Sequence, residues 1–208
     1  NDSDILNHVQ KLSPEMFIVV GWYHMLPKSW RNIAPAFGLH ASLLPDYSGG
    51  SPLVWALING DIKTGITLFK LAEGVDNGKI IGQKPTDIFQ EDTIATLYQR
   101  IESLGLELLQ EQLPRLIDGT EEQISQDESK RRVFPQRSPE DGKVDWALPA
   151  EQLYNFIRAQ TKPYPGAFSM HGNNKITIWT SKTFDNAISQ GLPPGEIRMA
   201  EQRVVVGC

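Results

Sequence analysis

Phe17-Ile18-Val19-Val20-Gly21 is a short, continuous apolar run, and it narrows what this chain can fold into. A strand with one wet face alternates apolar and polar residues, whereas an unbroken run belongs to a strand covered on both faces. The flanking pattern agrees with that. Asp4 to Leu12 reads as a helix, and Ala36 to Leu39 as a short strand ending at His40. Leu53 to Asn59 reads as a helix opened by Ser51-Pro52 and closed by Gly60. Gly65 to Leu71 and Ile80 to Ile88 read as strands. Such alternation predicts an α/β domain with a parallel sheet and crossover helices.

Further along, Asp92 and Thr93 cap a long helix in which Ile94, Leu97, Ile101, Leu104 and Leu108 recur on one face. Pro114 is expected to bend or end it, and Gly119 to stop it. From Thr120 to Pro139 the chain turns to Glu, Gln, Asp, Ser, Lys and Arg, which suits a linker crossing the surface. The expected organisation is therefore a domain over residues 1–119, a linker over 120–139 and a second domain over 140–208. In that second domain Pro149 to Ala159 reads as a helix, and Ala167 to Met170, Lys175 to Thr180 and Arg203 to Gly207 read as strands. His171-Gly172-Asn173-Asn174 forms a hairpin-type turn. The chain stops inside the apolar run Val204 to Cys208, and both ends of the native protein are expected to lie beyond these residues.

The net charge of −5 over 208 residues argues against a broad nucleic-acid surface, which needs clustered Lys and Arg. Cys208 is the one cysteine, so neither an intrachain disulfide nor a cysteine zinc cage forms, and a reducing cytoplasm fits. No run approaches the ~20 apolar residues of a membrane helix. A cytoplasmic location without membrane contact is expected, and a homo-oligomer is left open.

Two positions invite a chemical reading. His40 stands at a predicted strand end before Ala41-Ser42-Leu43-Leu44-Pro45, and Asp76 sits in the glycine-flanked turn Glu73-Gly74-Val75-Asp76-Asn77-Gly78. Taken singly, each has a structural alternative: a hydrogen-bonded core histidine, and a turn-forming aspartate. If the two meet, the carboxylate favours the imidazolium and makes a proton donor and acceptor near neutrality. Loops after parallel strands gather at one sheet edge, where ligands sit; Trp22-Tyr23-His24-Met25-Leu26-Pro27 is such a loop, either a flat-ring pocket or ordinary packing. Ser48-Gly49-Gly50-Ser51 before a helix offers backbone amides to an anion, or is a simple turn. Clustered metal-ligand spacing is absent, and His171 is expected in an exposed turn.

The run His40 to Pro52 resembles the His-x-Ser-Leu-Leu-Pro loop of 10-formyltetrahydrofolate-dependent formyltransferases, and Asp76 matches that family's catalytic aspartate. The segment Gly21 to Pro27 resembles the part that lines the folate pteridine pocket. Asp141 to Trp146 and Pro163-Tyr164-Pro165-Gly166-Ala167-Phe168 resemble the start of the small C-terminal domain of methionyl-tRNA and sugar-nucleotide formyltransferases. The likeness runs from about Phe17 to Trp179. It implies a Rossmann-like parallel-sheet catalytic domain lacking its N-terminal part, followed by a truncated β-barrel-like domain. It implies 10-formyltetrahydrofolate as formyl donor, held by Trp22, Tyr23, Met25 and Leu26 and by Glu73, Gly74 and Val75. Catalysis would fall to His40, at the formyl group, and Asp76, orienting the imidazole; a donor at the developing oxyanion lowers the barrier by ~3 kcal/mol.

The chain departs from the family in two places. Asn usually stands two residues before the histidine, where this chain has Gly38, and Ser48 replaces the usual Arg. Three functions follow from the resemblance. The first is formyl transfer to a small amine such as an amino sugar nucleotide, suggested by Asn155 to Trp179. The second is formylation of methionyl-tRNA, disfavoured by the acidity. The third is folate binding or formate release without transfer, suggested by Gly38.

Overall fold

The computed structural model describes residues 2–183, 191–200 and 203–208. The helices are α1 (Asp2–Leu12), α2 (Lys28–Arg31), α3 (Pro52–Ile58), α4 (Ile94–Asp118) and α5 (Ala150–Arg158). The strands are β1 (Phe17–Val19), β2 (Ala36–His40), β3 (Ser48–Gly49), β4 (Lys63–Lys70), β5 (Ile80–Asp87), β6 (Val133–Phe134), β7 (Ala167–His171), β8 (Asn174–Ile178), β9 (Ile197–Ala200) and β10 (Arg203–Val206). They form two compact units. One comprises Asn1–Pro52, Lys63–Asp87 and Tyr98–Gln136, the other Leu53–Ile62, Ile88–Leu97 and Arg137–Cys208.

The first unit is built on the sheet β1-β2-β4-β5. β1 and β2 are parallel, as the apolar run predicts, while β4 and β5 continue the sheet antiparallel. For the β4–β5 pair the reason is local: only the Leu71–Lys79 loop separates the two strands, too short for a parallel crossover. Side chains alternate across the sheet, so the register sorts them into two faces. Leu39 opposite Leu68 points one way, and His40 opposite Thr67 and Gly38 opposite Phe69 point the other. α4 covers the Leu39 face so closely that a Cβ at Gly105 would lie 2.7 Å from Ile66 Cδ1, and one at Gly82 would lie 2.9 Å from Leu108 Cδ1. Ile101 and Leu108 on this helix are buried. On the opposite face Leu44, Phe69 and Ile80 pack together with Leu71.

Of the two effects expected of Pro114, ending the helix does not occur: α4 runs on to Asp118. The proline sits on the exposed side, one turn before Gly119 (φ +65°) closes the helix. The carbonyl it leaves unpaired, on exposed Gln110, faces solvent. Residues 120–139, whose composition suggests a linker, carry a 3-10 turn at Glu128–Lys130, β6 and the start of a second 3-10 turn at Pro139–Gly142. Within them Ile124 exchanges both backbone hydrogen bonds with Ile80.

In the second unit Val144, Leu153, Ile157 and Ala167 form a core against which Trp146, Leu148, Phe156 and Ile178 pack. β7 and β8 pair through the Gly172-Asn173 turn, Gly172 at φ +56°, and His171 is exposed as expected. β9 and β10 pair antiparallel; among the described residues the two strand pairs share no ladder. Arg158 is buried with its guanidinium held by hydrogen bonds. Its Nη1 donates to the Phe89 and Asp92 carbonyls at 2.8 and 2.9 Å, and its Nε to Asn155 Oδ1 at 2.8 Å. Burial still pulls its pKa below the ordinary guanidinium value. Among the described residues no helix is long and apolar enough to cross a membrane.

Candidate active site

His40 and Asp76 meet. The ring Nδ1 lies 3.6 Å from Asp76 Oδ2, with the two side chains 11% and 21% exposed. The other ring nitrogen, Nε2, is 2.8 Å from the Tyr47 carbonyl. Both nitrogens therefore face oxygen. Phe69 supports the ring edge-on, centroids 6.5 Å apart. The meeting does not arise from two strand ends lying side by side. β4 is antiparallel to β2, so its carboxyl end lies beside Phe37. Asp76 reaches His40 because the Leu71–Lys79 loop folds back over the sheet face that carries both Gly38 and His40. Asp76 itself has a left-handed backbone, φ +46°, a conformation that aspartate tolerates better than most residues.

The loop after β2 is locked from below by Thr67. Its hydroxyl is wholly buried, donates to the Ser42 carbonyl at 2.6 Å and accepts from Leu44 N–H at 3.1 Å and Gln83 Nε2 at 2.9 Å. Gln83 also donates to the Leu44 carbonyl at 2.9 Å. Higher in the loop, Ser42 Oγ donates to the Asp46 carbonyl at 2.7 Å and Ser48 Oγ to the Pro45 carbonyl at 3.0 Å. The Ser and Thr of this loop thus hold backbone.

The anion cradle suggested by Ser48-Gly49-Gly50 is not formed, because its amides already have partners. Ser48 N–H donates to the Arg132 carbonyl at 3.0 Å, Gly50 N–H to the Phe134 carbonyl at 2.9 Å and Gly49 N–H to Asp76 Oδ2 at 2.8 Å. The glycines serve close approach instead: a Cβ at Gly49 would lie 2.3 Å from the Phe134 carbonyl oxygen, and one at Gly50 2.4 Å from Gln136 Cα.

Trp22, Tyr23 and Met25 are 61%, 84% and 49% exposed. The loop therefore does not pack as core; Trp22 stacks edge-on with His24 at 5.8 Å. Leu26 is half-buried, and its carbonyl accepts from Arg31 Nε at 3.2 Å. Because β1 and β2 are parallel, this loop and the one after His40 leave the same end of the sheet. Glu73 and Val75 are exposed and Gly74 is half-buried in the Asp76 loop.

Gly38 is occupied territory. A Cβ there would lie 2.9 Å from Leu71 Cδ2 and 3.1 Å from Phe69 Cε1. Two apolar side chains fill the space that a residue-38 side chain would take, beside His40 on the same face. The sequence reading missed Thr67, Gln83, Tyr47, Gln126, Arg131 and Arg132 as parts of this site. For the last pair a signal existed: Arg131-Arg132 runs straight into Val133-Phe134, an apolar pair inside an otherwise polar stretch.

Comparison with known proteins places this arrangement in context. A model described as formyl transferase matches residues 1–113, and one described as formyl transferase, C-terminal domain, matches residues 137–208. Among solved structures, the methionyl-tRNA formyltransferase of Clostridium thermocellum is 22% identical, with 99% of this chain and 82% of that one covered and a TM-score of 0.71. The N-formyltransferase of Helicobacter canadensis, solved with folinic acid and dTDP-3-aminofucose, is also 22% identical over 92% and 69%, at 0.73. HypX of Aquifex aeolicus, solved with tetrahydrofolic acid, is 19% identical over 98% of this chain and 36% of its own length, at 0.77. At these identities the likeness is one of fold. With family models matching most of its length in the same order as its two ends, this chain belongs to the formyl transferase family.

Proposed function

We propose that this protein transfers a formyl group from 10-formyltetrahydrofolate to the amine of a small molecule such as an amino sugar nucleotide. The observation that carries the reading is the His40–Asp76 contact of 3.6 Å on a loop with no slack. Asp76 holds Nδ1 and fixes the ring. That leaves Nε2 as the working atom, which exchanges its hydrogen bond to the Tyr47 carbonyl for one to the group being transferred. A preorganised donor of this kind acts without reorganising during the reaction. The departing tetrahydrofolate nitrogen needs a proton and the attacking amine sheds one; Nε2 gives its proton to the first and, its lone pair then free, takes one from the second.

The residues assigned to the donor suit it. Trp22 and Tyr23 expose flat apolar rings of the sort that cover a bicyclic heterocycle, and Met25 adds an adaptable apolar surface. Leu26 and the backbone of Glu73, Gly74 and Val75 complete the set. When bound, 10-formyltetrahydrofolate supplies a one-carbon acyl group ready for attack by nitrogen. The Helicobacter relative, solved with a folate and an amino sugar nucleotide, supports the choice of acceptor class over methionyl-tRNA, as does the net charge of −5.

Gly38 favours a second reading. Since Phe69 and Leu71 fill the place of a side chain there, position 38 supplies no amide to share the formyl oxygen with His40, and formate release to water or simple folate binding becomes the competitor. The deciding experiment follows tetrahydrofolate release from 10-formyltetrahydrofolate, alone and with amino sugar nucleotides or methionyl-tRNA. Release that requires an amino sugar nucleotide is expected. Release without any amine would establish a hydrolase, and a requirement for methionyl-tRNA would replace the acceptor.

A further inference from the structure

Residues 124–134 touch both loops that the His40–Asp76 pair depends on. Gln126 Nε2 donates to both the Asp76 and Gly78 carbonyls, each at 2.7 Å. Arg131 Nη2 donates to the Val75 carbonyl. Together they grip the turn on either side of the left-handed Asp76. At the other loop Arg132 pairs with Asp46 through two parallel bonds, Nε to Oδ1 at 2.6 Å and Nη2 to Oδ2 at 2.7 Å. Its guanidinium also lies over the Tyr47 ring at 4.8 Å, and that ring stacks on Phe134 at 4.5 Å with 14° between planes. β6 then pairs with β3, Val133 with Ser48 and Phe134 with Gly49.

These contacts converge on two atoms. Tyr47, whose carbonyl meets His40 Nε2, is fixed by Arg132 and Phe134. Gly49, whose N–H meets Asp76 Oδ2, is fixed by β6. A segment that only filled surface would have no reason to engage both loops at the residues next to the catalytic pair. We propose that this segment is a strap that assembles the site, with Gln126 and Arg132 as positioning residues that set the His40–Asp76 geometry without touching substrate. The inference rests on the function proposed above for its kinetic consequence, but not for its structural one. Bidentate Arg–carboxylate pairs carry geometric specificity as well as energy, and a site loosened by 1 Å loses on the order of 10²-fold in rate.

The test uses the full-length protein in four forms: wild type, Gln126→Ala, Gln126→Lys and Arg132→Ala. Lysine at 126 keeps a donor for the two carbonyls and gives up only Gln126 Oε1, which has no hydrogen-bond partner among the described residues. Arg132 is half exposed, so Arg132→Ala tests the strap even if Gln126→Ala fails to fold. The first readout is amide hydrogen exchange at Gly49 with Leu68 in the buried strand as internal reference, and it needs no turnover. Both alanine variants are expected to speed Gly49 exchange at least tenfold with Leu68 unchanged, and Gln126→Lys to restore protection. The second readout is kinetic: kcat falls about tenfold or more while KM for the formyl donor stays within about twofold. Unchanged Gly49 exchange in the alanine variants overturns the strap. A wild type without amine-dependent turnover, with Gly49 exchange still responding, refutes the proposed function and leaves the strap standing.

Discussion

Two loops leave the same end of the sheet, from neighbouring parallel strands, and they are built in opposite ways. The loop after β2, from Ala41 to Gly50, spends nearly all its polar groups on itself and on the chain around it. Thr67, Gln83, Ser42, Ser48 and Asp46 each hold a piece of its backbone, and Arg132 holds the Asp46 carboxylate. The loop after β1 leaves Trp22 and Tyr23 largely in solvent. Rigidity is placed where geometry must be fixed to fractions of an ångström, and exposed apolar surface where a ligand would supply the missing contacts. On the proposed function, the first loop carries the chemistry and the second binds the donor.

The substitution with the largest expected effect is His40→Ala, with Asp76→Ala close behind. Each should lower kcat by about 10²- to 10³-fold, the scale of losing one oxyanion donor, while 10-formyltetrahydrofolate affinity stays within about threefold. Steady-state kinetics alongside a fluorescence binding titration separates the two effects. An equal loss in affinity would mean that the tight loop also binds the donor.

Next in size is Thr67→Val, which removes the hydroxyl that serves Ser42, Leu44 and Gln83. Stranding buried backbone groups costs roughly 1–3 kcal/mol each, so a loss of about 3 kcal/mol in urea unfolding is expected. A change below about 1 kcal/mol would show that the loop after β2 is not held from the strand beneath it.

Gly38→Asn comes third. With Leu71 and Phe69 already in contact distance of a Cβ, overpacking should cost about 2 kcal/mol of stability and lower turnover rather than raise it. Higher activity would mean that the apolar wall yields and that the family amide had simply been lost. Trp22→Ala probes the open loop: donor affinity should weaken about tenfold, or about 1.4 kcal/mol, with kcat little changed, as measured by the same titration.

The smallest effect is a control outside both loops. Asp141 Oδ2 accepts from Ser138 N–H at 2.7 Å and Oγ at 3.0 Å, and the backbone bond first, then the hydroxyl, holds its carboxyl below the ordinary 3.8. With the folded value depressed, this stabilisation is full above pH 3.8 and fades as pH falls through the folded value. Acid unfolding of wild type and Asp141→Asn should therefore converge at low pH. Divergence there would place the acid-sensitive contact elsewhere.

The sequence was most legible where periodicity is strong. The apolar run at β1, the helical face of α4 and the Gly172-Asn173 hairpin were all readable, because burial and turn chemistry act over a few neighbouring residues. The His40–Asp76 pairing was readable as a motif, although the antiparallel pairing of β4 with β2 alone would have left Asp76 at the Phe37 end of β2. What stayed hidden was long-range and polar. Gln126 reaches back across the chain to Asp76, Arg132 to Asp46, and Thr67 to Ser42. No periodicity marks such partners, and a charged stretch that straps a site has the same composition as one that merely crosses solvent. Gly38 could be seen as a departure, but only the packing of Leu71 and Phe69 shows that its space has been filled.

The most direct test of the central claim is a single-turnover experiment with wild type and His40→Ala, each saturated with 10-formyltetrahydrofolate and mixed with an amino sugar nucleotide. Wild type forming the formamide, with His40→Ala slower by at least about 10²-fold at full donor occupancy, is the predicted result. Formamide produced by His40→Ala at the wild-type rate would contradict the account and return His40 to a purely structural role.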